Sequence, residues 1–220
     1  MDYREKSVDG RKVTFSADWI NDLERREHFN WYHSQAQLIY QQCSREDKII
    51  EIGVGAALLY DMMKRRGWDF SSLDIDADKN PDFLCSADDF DYAGHHVDVV
   101  VAFEVFEHIP LSTLKKVLAQ IADSKVKMIG FSVPWNERRR INFQLKIPRL
   151  KKISYTNYRE LGVIKTQTHF WELAKRAKEL DDGKHLVSPQ QLHGMFDEIG
   201  FDMELVSREG YVQFATARRK

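Results

Sequence analysis

Ile49–Gly55, I-I-E-I-G-V-G, decides how this chain folds. Ile49 to Ile52 is a short apolar run, the form taken by a parallel strand buried on both faces. It ends in a turn containing Gly53 and Gly55, with Val54 between them. A helical pattern starts at once in Ala56, Leu58, Leu59, Met62 and Met63, and stops at Gly67. Strand, glycine turn and helix in that order predict the opening unit of a nucleotide-binding α/β fold. Glycine lets the backbone approach a ligand where a Cβ would clash. The helix start adds unpaired N–H groups and a partial positive charge. Carboxylates and phosphates both suit such a place, so the turn alone does not name the ligand.

Downstream, Phe70–Ile75 reads as a second strand ending in Asp74, with Asp76 just beyond. Asp74 follows the glycine turn by about 20 residues, the offset of the carboxylate that takes ribose hydroxyls in doubly wound folds. Such a group accepts hydrogen bonds only, and its two oxygens match a vicinal diol. Asp76 reads better as a helix cap or solvated turn. Only D-A-D-K-N-P separates this strand from a third at 82–85. A parallel crossover ordinarily takes a dozen or more residues and a helix. Either that helix is reduced to a loop or the third strand starts later. Val97–Phe103 is β-branched and nearly all apolar, which predicts a central, buried strand. It leads into Glu104, Glu107 and His108, then a helix through Leu111, Leu114, Val117, Leu118 and Ile121. Lys127–Val133 is a further strand, stopped by Pro134.

On the N-terminal side, residues 1–15 are polar and read as loosely held. Ser16 is placed to cap a helix from Ala17 towards Glu27, and Ser34 a second from Gln35 to Gln42. Phe29, Trp31, Tyr32 and His33 between them pack onto the sheet in the plainer reading; in the other, Tyr32 or His33 faces a ligand. Residues 135–170 interrupt the strand–helix rhythm with Arg138, Arg139, Arg140, Lys146, Arg149, Lys151 and Lys152, interleaved with Phe143, Tyr155 and Tyr158. Insertions of this kind beyond sheet strands carry specificity. Thr168–Glu172, T-H-F-W-E, leads into an expected helix to Leu180. Ser188-Pro-Gln-Gln191 supplies a cap, a first-turn proline and a closing glutamine for a helix ended by Gly200. Phe201–Val206 and Tyr211–Ala217 alternate as two antiparallel strands. The organisation expected is an N-terminal helical extension or lid over 1–44. One domain over 45–220 follows, whose 135–170 insertion shapes a substrate site.

The 220 residues suffice for one substantial core. Net charge is −1, so no global attraction to nucleic acid or anionic membrane exists and any basic site is local. Cys43 and Cys85 do not make a disulfide framework, which points to a reducing compartment. There is no apolar run of bilayer length, and M-D-Y-R-E-K lacks the apolar segment of a signal peptide. The chain therefore reads as cytoplasmic.

The ordered set E-I-G-V-G, L-D-I-D, V-D-V-V-V-A-F-E-V-F-E-H-I-P, S-V-P, H-F-W-E and a terminal G-F hairpin resembles the Rossmann-like, class I S-adenosylmethionine-dependent methyltransferases, in particular bacterial small-molecule enzymes. The resemblance covers residues 45–135 and, less fully, 185–220. It implies an α/β fold: a doubly wound, mostly parallel seven-stranded sheet with an antiparallel C-terminal hairpin and helices on both faces. It further implies S-adenosyl-L-methionine as cofactor. Glu51, Gly53, Val54 and Gly55 would wrap its methionine end, and Asp74 with Ile75 would hold the ribose. Ser86, Ala87 and Asp88 would meet the adenine, and Phe103 and Glu104 would lie beside the methionine moiety. Ala57 stands where the family often has a third glycine, and Cys85-Ser86-Ala87 where it often has Gly-Asp-Ala.

A base that takes the acceptor's proton assists methyl transfer. His108 is one candidate, since imidazole titrates near neutrality; His169, His33 and Tyr155 are others. His95-His96 reads as a turn. In the resembled family the Glu-His pair at 107–108 usually serves the loop itself. No His/Cys/Asp cluster has metal-ligand spacing along the chain, so no catalytic metal is expected. A small-molecule acceptor ranks first and RNA, through 138–152, second. A nicotinamide-dependent oxidoreductase and a non-catalytic cofactor-binding partner protein are the other readings. Oligomeric state and acceptor atom stay open.

Overall fold

A computed structural model describes residues 3–8, 11–16, 26–146 and 153–220. Strands β1 (Tyr3–Val8) and β2 (Arg11–Ser16) pair antiparallel as a hairpin, Val8 opposite Arg11. The loosely held tail expected there is corrected accordingly; the intervening Asp9-Gly10 is a strong short-range hairpin signal. The helix expected from Ala17 lies mostly outside the described residues. Helix α1 runs unbroken from Arg26 to Gln42, so Ser16 closes a strand and Ser34 sits inside a helix rather than capping one. The apolar spacing of Trp31, Leu38 and Ile39 continues across Ser34, and burial of that face outweighs the local cap signal.

Next come β3 (Ile49–Ile52), α2 (Leu58–Arg65) and β4 (Phe70–Asp74). The short connection resolves as a loop: a 3-10 turn, Ala77–Lys79, leads to β5, only Phe83–Leu84. Asp76 caps that turn, its carboxylate accepting from the Asp78 amide. β6 (Val99–Phe103) is followed by a 3-10 turn at Phe106–His108, α3 (Leu111–Ala122) and β7 (Met128–Pro134).

The insertion is a hairpin of β8 (Glu137–Leu145) and β9 (Ile153–Glu160). Its pairing puts Phe143 opposite Tyr155 and Leu145 opposite Ile153, and all four side chains are exposed. The helix expected after Thr168 is absent. β10 (Trp171–Leu173), β11 (Lys178–Glu179) and β12 (His185–Val187) form a small sheet instead. Trp171 is fully buried and its indole N–H donates to the Phe106 carbonyl at 2.9 Å, a tertiary anchor that overrides the local helical pattern. α4 (Pro189–Asp197) starts as the sequence predicts, Ser188 Oγ accepting from the Gln191 amide at 3.1 Å. β13 (Phe201–Glu209) and β14 (Val212–Arg219) close the chain.

The main sheet has seven strands in the order β13-β14-β7-β6-β3-β4-β5. From β7 to β5 all neighbours are parallel, while β14 runs antiparallel to both β7 and β13. β6 lies in the middle with every residue buried, as its Val-rich run requires. Its alternation splits the core. Val100 and Ala102 face α3 and α4 through Leu114, Leu118, Ile121, Leu192 and Phe196. Val99, Val101 and Phe103 face α1 and α2 through Leu38, Ile39, Leu59 and Met63.

Gly130 in β7 has a packing reason: a Cβ there would come within 2.9 Å of Leu38 Cδ2. Gly130→Val is expected to push α1 off the sheet. Overpacking of this kind costs about 1–3 kcal/mol, and thermal melting checks it. An unchanged Tm would show that α1 does not press on β7.

Candidate active site

The ends of β3, β4, β6 and β7 point the same way, and the expected cofactor residues gather there. Gly53 and Gly55 both have positive φ, +81° and +55°. Their settings differ. A Cβ on Gly55 would meet nothing within 4 Å, whereas one on Gly53 would lie 2.5 Å from Val105 Cγ2. Gly55 therefore borders open space, while Gly53 is bare because Val105 occupies the ground beside it. This corrects the expectation that both glycines stand clear for a ligand. Ala57, at the third-glycine position, also has φ +58° as the cap residue of α2. The left-handed conformation costs a Cβ-bearing residue roughly 1–2 kcal/mol, so the turn keeps a glycine-like shape on an alanine.

Asp74 is buried at the end of β4 and locks the turn. Its Oδ2 accepts from the Val54 amide at 2.9 Å and lies 3.3 Å from Lys79 Nζ; its Oδ1 accepts from the Asp76 amide at 2.9 Å. A carboxylate has about four lone-pair sites. Asp74 thus holds the loop that carries Val54 and keeps limited capacity for a ribose hydroxyl, rather than offering two free oxygens. Ile75 beside it is half-buried.

Glu51 in β3 is buried, and its Oε2 has no hydrogen-bond partner. Burial, with the charge of Asp74 nearby, holds its carboxyl well above the usual range. A buried polar atom without a partner is costly in a finished protein and marks a place for a donor from elsewhere. Ser86 and Asp88 are hydrogen-bonded to each other, and the carbonyl of buried Ala87 accepts from Tyr92 Oη at 2.9 Å. Phe103 is buried, its ring 6.1 Å from that of Phe214. The orphaned oxygen of Glu51 and the open space at Gly55 fit a bound S-adenosylmethionine.

A second cluster adjoins the first. Glu104 directly follows β6 at φ +55°, a left-handed conformation unusual for a glutamate and of the kind that gathers at functional sites. Its amide donates to the Ser132 carbonyl at 3.0 Å, and Ser132 Oγ donates to its Oε1 at 3.0 Å. Burial pushes Glu104 up to about 8; the Ser132 hydroxyl works against that and the charge of Glu172 with it. Glu107 is buried with an unpartnered Oε2. Burial, then Glu104, holds it well above the usual carboxylate range.

The Phe170 amide donates to the Glu107 carbonyl at 2.8 Å and, with the Trp171 bond, sews residues 168–172 to the 3-10 turn after β6. His169 is thereby brought to His108, ring centres 4.8 Å apart and edge-to-face. His169 Nδ1 lies 2.8 Å from Glu172 Oε1, and Glu172 Oε2 accepts from Asn136 Nδ2 at 2.7 Å. Burial, then the neighbouring His169, pushes His108 down to about 3. This corrects the premise that His108 titrates near neutrality: it stays neutral across the physiological range and is a weak base. Tyr211 forms the rim, held above its ordinary range by burial and by Glu104, Glu107 and Glu172, with Trp31 of α1 edge-on at 5.3 Å.

His108, His169 and Glu104 thus come together, while His33, Arg138, Arg139, Arg140 and Tyr155 are exposed. Tyr32 is half-buried against the Phe29 ring. Sequence reasoning missed Glu172, Asn136, Tyr211 and the contact of Val105 with Gly53. The H-F-W-E motif contained Glu172, but nothing local placed it beside residue 108.

A protein-family model described as a methyltransferase domain matches residues 25–206, most of the chain. The chain belongs to this methyltransferase family. It is an S-adenosylmethionine-dependent methyltransferase, and the nicotinamide-dependent and non-catalytic readings give way to that. No curated protein sequence matches the methyltransferase. Solved structures share its fold at low identity. The glycopeptide N-methyltransferase MtfA with S-adenosyl-L-homocysteine has TM-score 0.54 and 11% identity, over 85% of this chain and 89% of that one. The magnesium protoporphyrin IX methyltransferase ChlM of Synechocystis PCC 6803 with bound S-adenosylmethionine has TM-score 0.55 and 13% identity, over 94% and 86%. The sugar N-methyltransferase KedS8 of a Streptoalloteichus species has TM-score 0.58 and 10% identity, over 100% and 99%. Among the described residues no helix of the methyltransferase is long and apolar enough to cross a membrane.

Proposed function

We propose that the methyltransferase acts on a small-molecule acceptor, bound at the mouth formed by Glu104, Glu107, His108, His169, Glu172 and Tyr211. The observation that carries this reading is the juxtaposition of two clusters. Val105 touches Gly53 on the cofactor side, and its chain neighbour Glu104 begins the group of carboxylates and imidazoles on the other. When bound, S-adenosylmethionine supplies an activated sulfonium methyl group. Glu51, Gly53, Val54, Gly55, Asp74, Ile75, Ser86, Ala87, Asp88, Phe103 and Glu104 hold and orient it. The protein's further task is to fix an acceptor atom in line with that methyl, and such positioning is worth several kcal/mol. The rings of Trp31 and Tyr211 meet edge-to-face at 5.3 Å beside this group. An RNA acceptor would draw instead on exposed Arg138, Arg139 and Arg140 of the β8–β9 hairpin.

Calorimetry with S-adenosylmethionine, then a panel of hydroxyl and amine compounds and short RNAs read by mass spectrometry, tests the proposal. Methylation of RNA alone would overturn the small-molecule reading, and failure to bind the cofactor would overturn the site. Glu51→Gln sharpens the result. Removing a buried carboxyl with an unpartnered oxygen is expected to leave the ligand-free protein as stable or raise its Tm by about 2–4 °C per kcal/mol gained. The same change is expected to weaken cofactor binding by roughly tenfold, the scale of one charge-assisted hydrogen bond.

A further inference from the structure

Glu107, His108 and His169 bring one potential ligand atom each to within 4.8 Å of one another. Glu107 and His108 are adjacent in sequence, but His169 arrives from another segment, so spacing along the chain hides the group. The expectation of no metal rested on that spacing.

The side chains around the three are arranged as metal-bound imidazoles require. His108 Nδ1 faces the Thr168 carbonyl oxygen at 3.1 Å. A carbonyl only accepts, so Nδ1 carries the proton and Nε2 the lone pair, 4.0 Å from Glu107 Oε1. His169 Nδ1 faces Glu172 Oε1 at 2.8 Å, which leaves its Nε2 as the electron-pair donor. Glu172 is held in turn by Asn136 Nδ2. Imidazole with one nitrogen tied to a carbonyl or carboxylate and the other free is the outer support of a ligating histidine. Independently, Glu107 is 1% exposed and its Oε2 has no hydrogen-bond partner. Among the described residues, no lysine or arginine forms an ion pair with Glu104, Glu107 or Glu172.

We propose that Glu107, His108 and His169 bind one divalent transition-metal ion at the acceptor mouth, with an open coordination position for the acceptor. Two imidazole nitrogens and one carboxylate suit Zn²⁺, Mn²⁺, Fe²⁺ or Co²⁺ better than Mg²⁺ or Ca²⁺, which prefer all-oxygen sets. The role for the ion rests on the small-molecule acceptor reading; its binding does not. On that reading the open position takes a hydroxyl, the weakly acidic group whose loss of a proton a bound divalent ion favours. The coordinated hydroxyl releases its proton to water, its oxygen forms the new bond to the methyl carbon, and the carbon–sulfur bond breaks with its electron pair going to sulfur. The products are a methyl ether or ester and the neutral thioether.

The test uses the full chain, stripped with chelator and titrated with Co²⁺, Mn²⁺ and Zn²⁺ by calorimetry and, for Co²⁺, visible absorption. One ion per chain is expected, with a rise in Tm. Glu107→Gln and His169→Ala are each expected to weaken binding at least tenfold, while His193→Ala, at a surface position on α4, leaves it unchanged. If Glu107→Gln fails to fold, judged by loss of S-adenosylhomocysteine binding, His169→Asn carries the same test. Wild type that takes no ion, or variants that still take one with full affinity, overturn the proposal. Ion binding without S-adenosylhomocysteine binding would leave the metal site standing and remove the methyl-transfer role.

Discussion

Asp74→Ala is expected to bind S-adenosylmethionine at least thirtyfold more weakly than wild type and to melt at a lower temperature. The carboxylate does two jobs. It accepts the Val54 and Asp76 amides, both at 2.9 Å, and so fixes the turn on which the cofactor would lie. Alanine leaves those donors without their acceptor, and each hydrogen bond to a charged group is worth about 1.5–3 kcal/mol. A loss of about 2–3 kcal/mol in binding corresponds to a factor of roughly 30 to 150. Asp74→Asn keeps one carbonyl acceptor and is expected to fall between the two. Wild-type affinity in Asp74→Ala, by calorimetry, would remove this residue from the site.

The paired substitutions Gly53→Ala and Gly55→Ala are expected to separate fold from function. Both positions have positive φ, so each alanine meets a backbone cost of about 1 kcal/mol. At Gly53 the new methyl also meets Val105 Cγ2 at 2.5 Å, so Val105 and the turn must part. That variant is expected to lose stability by about 2–4 kcal/mol, combining strain with overpacking. Val105→Ala introduced alongside is expected to restore part of the Tm. At Gly55 nothing lies within 4 Å, so the Tm should fall only slightly. Cofactor affinity is nevertheless expected to fall tenfold or more, because the methyl projects where the ligand would lie. A Gly55→Ala protein that binds normally would show the cofactor runs elsewhere.

The order of elements around the glycine turn was legible because the patterns that encode it are local. An apolar run of β-branched residues at 97–103 cannot be satisfied except in the middle of a sheet, and β6 is there. Ser188 with Gln191 marks a helix start that the structure keeps. Asp74 was found by its offset from the turn, although its main bonds proved to be to the turn itself. Readings failed where a distant contact outweighed a local preference. Trp171 buries itself under the 3-10 turn after β6, and the helix that residues 168–180 suggest does not form. Ser34 lies within one continuous helix because burial of α1 against the sheet runs past it.

Local patterns, then, specify the sheet, its central strand and the glycine turn with its acid partner, because periodicity and spacing over a few residues carry that information. The cofactor and the kind of reaction followed from the resemblance of the ordered motifs to a known family, not from those patterns. Tertiary packing alone sets His169 against His108, lets Glu172 orient it, places Val105 beside Gly53, and holds the His108 imidazole below its ordinary range. These depend on side chains some 60 residues apart meeting in a site partly withdrawn from water. Such meetings are set by how the sheet, the turn after β6 and the insertion pack together, for which a linear pattern has no signal.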